Sequence, residues 1–314
     1  MKKLILLAIF FTLIFVNTAF SQSNDTINTE DDEDAVLKIT TVNINLPVTV
    51  FDDKGKFVPD LKKDNFQIFE NKEVQPIIEF HAQANLPLNV AVLMDTSTSV
   101  RNKLEFERVA IKQFLSSVLR TEKDRIAFIT FDSTIQVRND FTSDLSQISK
   151  SVDEVKVATG QTSLYDAIYK VCREDMPRTT SRRRVLVVVT DGADTNSSHT
   201  LAQIISIAQR TETTVYALST KGGSVFRVEG SPYINTDDRE LKKLCRDTGG
   251  EVFFPDNVEA LTKSFRQVTE FLRNQYVIIY EPTNSNDGKF RQIEVRITGR
   301  KNLSTITRQG YLAK

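Results

Sequence analysis

Val185-Leu186-Val187-Val188-Val189 is a run of five apolar, strand-favouring residues with no polar alternation. A strand written this way is buried on both faces, as a central strand of a parallel sheet covered by helices must be. Asn89-Val90-Ala91-Val92-Leu93-Met94 has the same character, and Arg125–Phe131 reads as another buried strand. Helical spacing separates these runs. It is seen in Leu104, Val109, Ile111, Phe114, Leu115 and Val118 within 101–119, and again over 201–210, 237–248 and 258–271. Gly249 stands where it could end the third of these helices. Residues 214–218 and 251–254 read as further strands. The alternation over about 87–272 predicts a doubly wound, mostly parallel α/β sheet. Ligands of such sheets sit beyond the carboxyl ends of the strands, near the switch point.

The flanks have a different texture. Val42, Ile44, Leu46, Val48 and Val50 recur with period two, the mark of a half-buried strand. Pro47 lies inside that run and cannot donate to a ladder, which predicts an edge or bulged strand. Phe66-Gln67-Ile68-Phe69-Glu70 and Ile77-Ile78-Glu79-Phe80 follow as strands, with Asn71-Lys72-Glu73 as the turn between them. Beyond the centre, 275–280 and 292–297 read as two more strands around a turn-rich loop containing Asn286-Asp287-Gly288. Strands so few on each side are too few to stand alone. The expectation is that 36–86 and 273–314 pair into one small β-domain, with 87–272 inserted and its two ends close together.

The first 21 residues look like a signal peptide: Lys2 and Lys3, an apolar run of 13 residues from Leu4 to Val16, then Ala19-Phe20-Ser21 before a cleavage point. Residues 22–35 are polar and acidic, and read as a disordered leader. No later stretch is apolar enough to span a membrane, so the mature chain is expected to be exported, periplasmic or secreted, with no stable span. Formal charge is zero, from 41 basic and 41 acidic residues, which leaves no electrostatic footprint for nucleic acid. The run Arg182-Arg183-Arg184 reads as a solvated start to the strand that follows it. Cys172 and Cys245 both sit among apolar residues at helical spacing. Buried free thiols are the simpler expectation, although an oxidising compartment permits a bridge.

Two of the buried strands run into aspartate. The first leads to Asp95-Thr96-Ser97-Thr98-Ser99 and the second to Thr190-Asp191-Gly192. A carboxylate at the end of a central strand is costly unless something neutralises it. Hydroxyls two and four residues after Asp95 let Asp95, Ser97 and Ser99 converge as the chain turns over the sheet. A third stretch, Gly160-Gln161-Thr162-Ser163-Leu164-Tyr165-Asp166-Ala167, puts Thr162 at a helix start, where its hydroxyl either caps the helix or faces the same point. Oxygen donors without Cys or His suit Mg2+, or Mn2+ or Ca2+, better than zinc or copper. Two carboxylates and three hydroxyls make a weakly charged shell, so a cation held there stays electrophilic and open to an external carboxylate.

These three stretches resemble the metal-ion-dependent adhesion site of von Willebrand factor type A domains over about 87–272. The flanks resemble those of a bacterial group of such proteins, through segments like Val48-Thr49-Val50-Phe51-Asp52, Phe66-Gln67-Ile68-Phe69-Glu70, Gln275-Tyr276-Val277-Ile278-Ile279-Tyr280 and Gly310-Tyr311. The resemblance implies that Ser97 and Ser99 bind the metal directly. Asp95 and Asp191 would act directly or through water, and Thr162 according to state. Thr98 and Gln161 stand where the family commonly has glycine, which adds bulk beside the metal without removing a donor.

No phosphate-cradling glycine loop and no nucleophile elbow is present. His81 and His199 have no partner at ligand spacing, and Asp237-Asp238 suits the start of a helix. The expected function is therefore a non-enzymatic, metal-dependent module that binds a protein presenting Asp or Glu. The alternatives are an envelope protein whose cation only stabilises the fold, and a metal-dependent hydrolase.

Overall fold

The computed structural model describes residues 43–82, 86–119, 123–158, 160–179, 181, 183–191, 194–220, 236–283 and 287–313. The expected signal peptide and acidic leader, Arg182 and Gly192 lie outside the described residues. In chain order the strands before the central sheet are β1 (Ile44–Phe51), β2 (Phe66–Glu70), β3 (Glu73–Gln75) and β4 (Ile77–His81). The centre holds β5 (Leu88–Asp95), α1 (Leu104–Val118), β6 (Arg125–Phe131), β7 (Ile135–Thr142), α2 (Leu145–Asp153) and α3 (Leu164–Lys170). It continues with β8 (Arg183–Thr190), α4 (Leu201–Arg210), β9 (Thr213–Ser219), α5 (Thr236–Thr248), β10 (Val252–Phe253) and α6 (Val258–Arg273). The C-terminal strands are β11 (Tyr276–Tyr280), β12 (Phe290–Ile297), β13 (Ser304–Ile306) and β14 (Gly310–Leu312).

The central sheet has the order β10-β9-β8-β5-β6-β7, and only β7 runs antiparallel to its neighbour. Every residue of β5 is buried, as its unbroken apolar run requires. Helices α1, α2 and α6 cover one face, where Phe114 stacks on Phe265 with ring centres 5.0 Å apart. Helices α3, α4 and α5 cover the other. The chain leaves β5 on one side towards β6 and returns on the other as β8. The carboxyl ends of β5 and β8 therefore flank the switch point, and Asp95 and Asp191 stand there.

The flanks pair, as expected. β1 joins β11 antiparallel from Ile44↔Tyr280 to Val48↔Tyr276, and β2 joins β12 antiparallel from Phe66↔Ile297 to Glu70↔Ile293. They form two four-stranded sheets, β13-β1-β11-β4 and β14-β12-β2-β3, around a shared apolar core. Three readings need correction. β1 has neighbours on both sides: β13 pairs with Thr49, Val50 and Phe51, while Pro47 lies in the half that meets only β11, where its missing N–H costs no ladder bond. The turn at Asn71-Lys72, with φ of 50° and 74°, leads into the short strand β3. Past Pro76 the chain continues as β4, in the other sheet.

The third correction concerns Arg183, which is 3% exposed rather than solvated. Its guanidinium donates to Leu86 O at 3.1 Å and to Leu272 O at 2.6 Å, so one side chain holds both crossings between centre and flanks. Beside it Arg273 pairs with Asp124 at 2.6 Å, and Asp124 also accepts from Leu88 N–H at 3.0 Å. The ends of the insertion are thus fastened together at the foot of the central sheet, opposite the aspartates.

Cys172 and Cys245 are free and buried. Burial pushes the Cys172 thiol up to about 12 and raises that of Cys245 as well. Neither is expected to react with Ellman's reagent in the native protein, whereas both should react in guanidinium. Rapid native labelling of either would contradict this packing. Among the described residues no helix is long and apolar enough to cross a membrane.

Candidate metal centre

Asp95 is fully buried at the end of β5. Its two oxygens are held apart by different partners: Oδ1 accepts from Ser97 N–H at 2.8 Å and Oδ2 from the Thr190 hydroxyl at 2.8 Å. The parallel register pairs Met94 with Val189, which places Thr190 level with Asp95 on the adjoining strand. Burial pushes the Asp95 carboxyl up to about 6, and the nearby charge of Asp191 adds to the rise, while the bonds from Ser97 and Thr190 oppose it. Two carboxylates this close with no cation between them repel, and a divalent ion would remove the repulsion.

After Asp95 the chain turns sharply. Ser97 is extended and precedes a single 3-10 turn, Thr98–Val100, which brings Ser99 back over it. Ser97 Oγ and Ser99 Oγ share a hydrogen bond of 2.9 Å, so two hydroxyls meet beside the aspartate. The Thr98 side chain is engaged elsewhere. Its hydroxyl donates to Ala158 O at 3.4 Å, while Ala158 N–H donates to Thr96 O at 2.8 Å. The bulk added at Thr98 thus stitches this loop to 154–158. Gln161 is exposed.

Thr162 is 4% exposed, and its backbone fixes it. Thr162 O accepts from Thr195 N–H at 2.9 Å and Asn196 N–H at 3.1 Å, and its N–H donates to Thr195 Oγ1 at 3.0 Å. Ser163 rather than Thr162 occupies the cap position of α3, and its own side chain makes no capping bond. Hydrogen bonds bring Asp95, Ser97 and Ser99 together, and the charge of Asp191 reaches Asp95, whereas no bond among the described residues joins Thr162 to the first loop. The 194–199 segment holds its backbone, through Thr195 and Asn196.

That segment escaped the sequence reading. Asp194 accepts from Tyr165 N–H at 3.1 Å, Ser197 Oγ from Asp166 N–H at 3.0 Å, and Asp166 from His199 N–H at 2.9 Å. His199 is not isolated. Its Nδ1 lies 2.6 Å from Asp166 Oδ1, and its ring stacks on Tyr169 at 3.8 Å. Burial works to raise the Asp166 carboxyl, but the bonds it accepts from His199 and from Ser198 N–H, at 3.0 Å, outweigh it and hold it below its ordinary value. Glu107 was also missed. It is wholly buried on α1, and burial, with the charges of Asp95 and Asp191, pushes its carboxyl up to about 8.

The donor set fits a hard divalent cation. Among the described residues no group of three or more His, Cys, Asp or Glu gathers at metal-holding distance, so hydroxyls must complete any shell here. Residues 89–267 match the von Willebrand factor type A domain. The chain belongs to the von Willebrand factor type A (VWA) family. A relative in Borreliella burgdorferi, itself an uncharacterized protein, is 23% identical over 149 residues. The matched stretch spans 45% of this chain and 43% of that one, under half of either. A solved von Willebrand factor type A protein from Catenulispora acidiphila is 13% identical, with a TM-score of 0.50 over 86% of this chain and 75% of its own. That likeness is one of fold, and it extends past the VWA segment into the flanks. Proximal thread matrix protein 1 of the mussel byssus, solved with a zinc-occupied MIDAS motif, is 16% identical, covering 61% of this chain and 46% of its own at a TM-score of 0.48.

Proposed function

We propose that this VWA protein is an exported, non-enzymatic module that binds a protein partner through a divalent cation. Ser97, Ser99, Asp95 and Asp191 would hold the ion, with Thr162 at the margin. Mg2+ is the proposed resident, since oxygen donors with two carboxylates match a hard cation. When bound, the ion supplies an electrophilic position for a partner's carboxylate. The observation that carries this reading is the meeting of the Ser97 and Ser99 hydroxyls at 2.9 Å beside the fully buried Asp95. Export is supported by the basic, then apolar, then small-residue pattern of the first 21 residues.

Calorimetric titration of Mg2+ into the chain tests the proposal. The expected result is one site per chain, lost in Asp95→Ala and weakened at least tenfold in Ser97→Ala. Equal binding by wild type and Asp95→Ala would refute it. If the ion served the fold alone, Ser97→Ala with Ser99→Ala would lower thermal stability and leave partner capture unchanged. The proposed reading expects capture to fail in EDTA.

A further inference from the structure

Helix α3 is held against the sheet by its apolar side, where Leu164, Ala167 and Ile168 are wholly buried. Apolar burial has no direction, so it fixes how deep a helix lies better than where the helix stands along its own axis. Here the axial position is set by hydrogen bonds from 194–199. Both main-chain polar groups of Thr162 are spent on Thr195 and Asn196. The Asn196 amide donates to Ser163 Oγ at 3.0 Å. The N–H groups that open the helix, at Tyr165 and Asp166, donate to Asp194 and to Ser197 Oγ. Ser197 Oγ in turn donates to Asp194 at 2.6 Å, so the middle of the clasp is tied to itself as well.

Asp166 closes the far end. Each of its oxygens accepts from Ser198 N–H, at 3.0 and 3.1 Å, and the Ser198 hydroxyl lies 3.2 Å from both. Oδ1 also takes His199 N–H at 2.9 Å and meets His199 Nδ1 at 2.6 Å. The His199 ring is pinned in turn by its stack on Tyr169. Hydrogen bonds to an ionised acceptor are the strong ones, so this end resists opening. Among the described residues Asp166 makes no hydrogen bond to Asp95, Ser97, Ser99 or Asp191. Its effect on the metal centre would pass through Thr162, at the other end of the clasp.

We propose that Asp166 is a positioning residue of the metal centre. By gathering Ser198 and His199 it keeps the clasp in register, and the clasp sets where the Thr162 hydroxyl stands towards the ion. This role rests on the metal reading above and adds to it the residue that regulates how well the third loop serves the cation.

The test is a double-variant cycle on the full chain, read by calorimetric titration of Mg2+. Asp166→Ala is expected to weaken Mg2+ about tenfold. Thr162→Val removes the hydroxyl, leaves the main-chain bonds in place, and should weaken Mg2+ to a similar extent. With both substitutions the affinity should fall no further than in the weaker single variant, because both act through one oxygen. Asp166→Asn keeps one acceptor oxygen and should lose only about threefold. It carries the same cycle if the alanine variant does not fold. Losses that multiply in the double variant would mean that Asp166 supports the fold in general, and would overturn the proposal. Wild-type Mg2+ affinity in the Asp166 variants would overturn it too, and in both cases the metal reading stands. Failure of the wild-type chain to bind Mg2+ removes the metal reading, and the positioning role falls with it.

Discussion

Metal-free protein is expected to lose stability steadily between about pH 5 and pH 8, and Glu107→Gln should remove most of that loss. Glu107 is buried, neither carboxyl oxygen has a well-formed hydrogen bond among the described residues, and its folded carboxyl rises from 4.5 to about 8. Burial is the largest cause, and Asp95 and Asp191 add to it, while the nearby Thr220 hydroxyl and the Lys103 charge oppose it. Below pH 4.5 folded and unfolded chains both carry the proton. Between 4.5 and 8 the folded chain keeps it and the unfolded chain releases it, so unfolding becomes easier as pH rises. Above 8 the loss is complete, on the order of 5 kcal/mol. Asp95, raised to about 6, adds a smaller loss of the same sign over a lower window. Glutamine keeps the shape without the charge, so the variant should be the more stable chain at pH 8 and nearly equal to wild type at pH 4.5. Denaturant unfolding in EDTA at several pH values reads this out. Parallel profiles for the two chains would mean that Glu107 is not held in the position described.

Gly250→Ala is expected to be the most damaging single methyl group in the chain. A Cβ there would stand 2.0 Å from Val215 O and 2.7 Å from Val215 C, and backbone on a central strand cannot move aside. The turn is also tied on both sides: Gly250 N–H donates to Cys245 O at 2.8 Å, and Ala217 N–H to Glu251 O at 3.1 Å. Its neighbour Gly249, at φ 88°, packs against the backbone of Arg308, so the same turn joins the central sheet to the C-terminal strands. The expected cost is about 3 kcal/mol or more of unfolding free energy. Gly55→Ala provides the comparison. Gly55 also has a positive φ, 72°, but nothing lies within 4 Å of the added carbon, so only the backbone preference is lost, about 1 kcal/mol. Similar unfolding midpoints for the two variants would show that the close approach at Val215 yields.

The parallel core was legible because burial on both faces leaves a plain trace: residues 90–94 and 185–189, the middles of β5 and β8, carry no polar side chain. β7 was not legible. It is the outer strand, with one neighbour, and in Ile-Gln-Val-Arg-Asn-Asp-Phe-Thr only Asn139 is buried. The short helix α2 escaped with it. The first metal loop could be read because its donors lie within five residues of one another. The clasp of 194–199 on 162–166 could not, because it joins polar residues about thirty positions apart. Thr190 was in view as part of Thr190-Asp191-Gly192, yet its bond to Asp95 depends on the register of two strands. Glu107 reads as an ordinary polar position on α1, since no local pattern says that the helix turns a carboxyl inward there.

The fastening of the insertion by Arg183, with β1 laid along β11 and β2 along β12, has a mechanical consequence. Tension applied across residues 43 and 313 would be carried by the interlocked strands of the outer sheets. The central sheet would hang outside the load path, its rim of aspartates undeformed until that lock gave way.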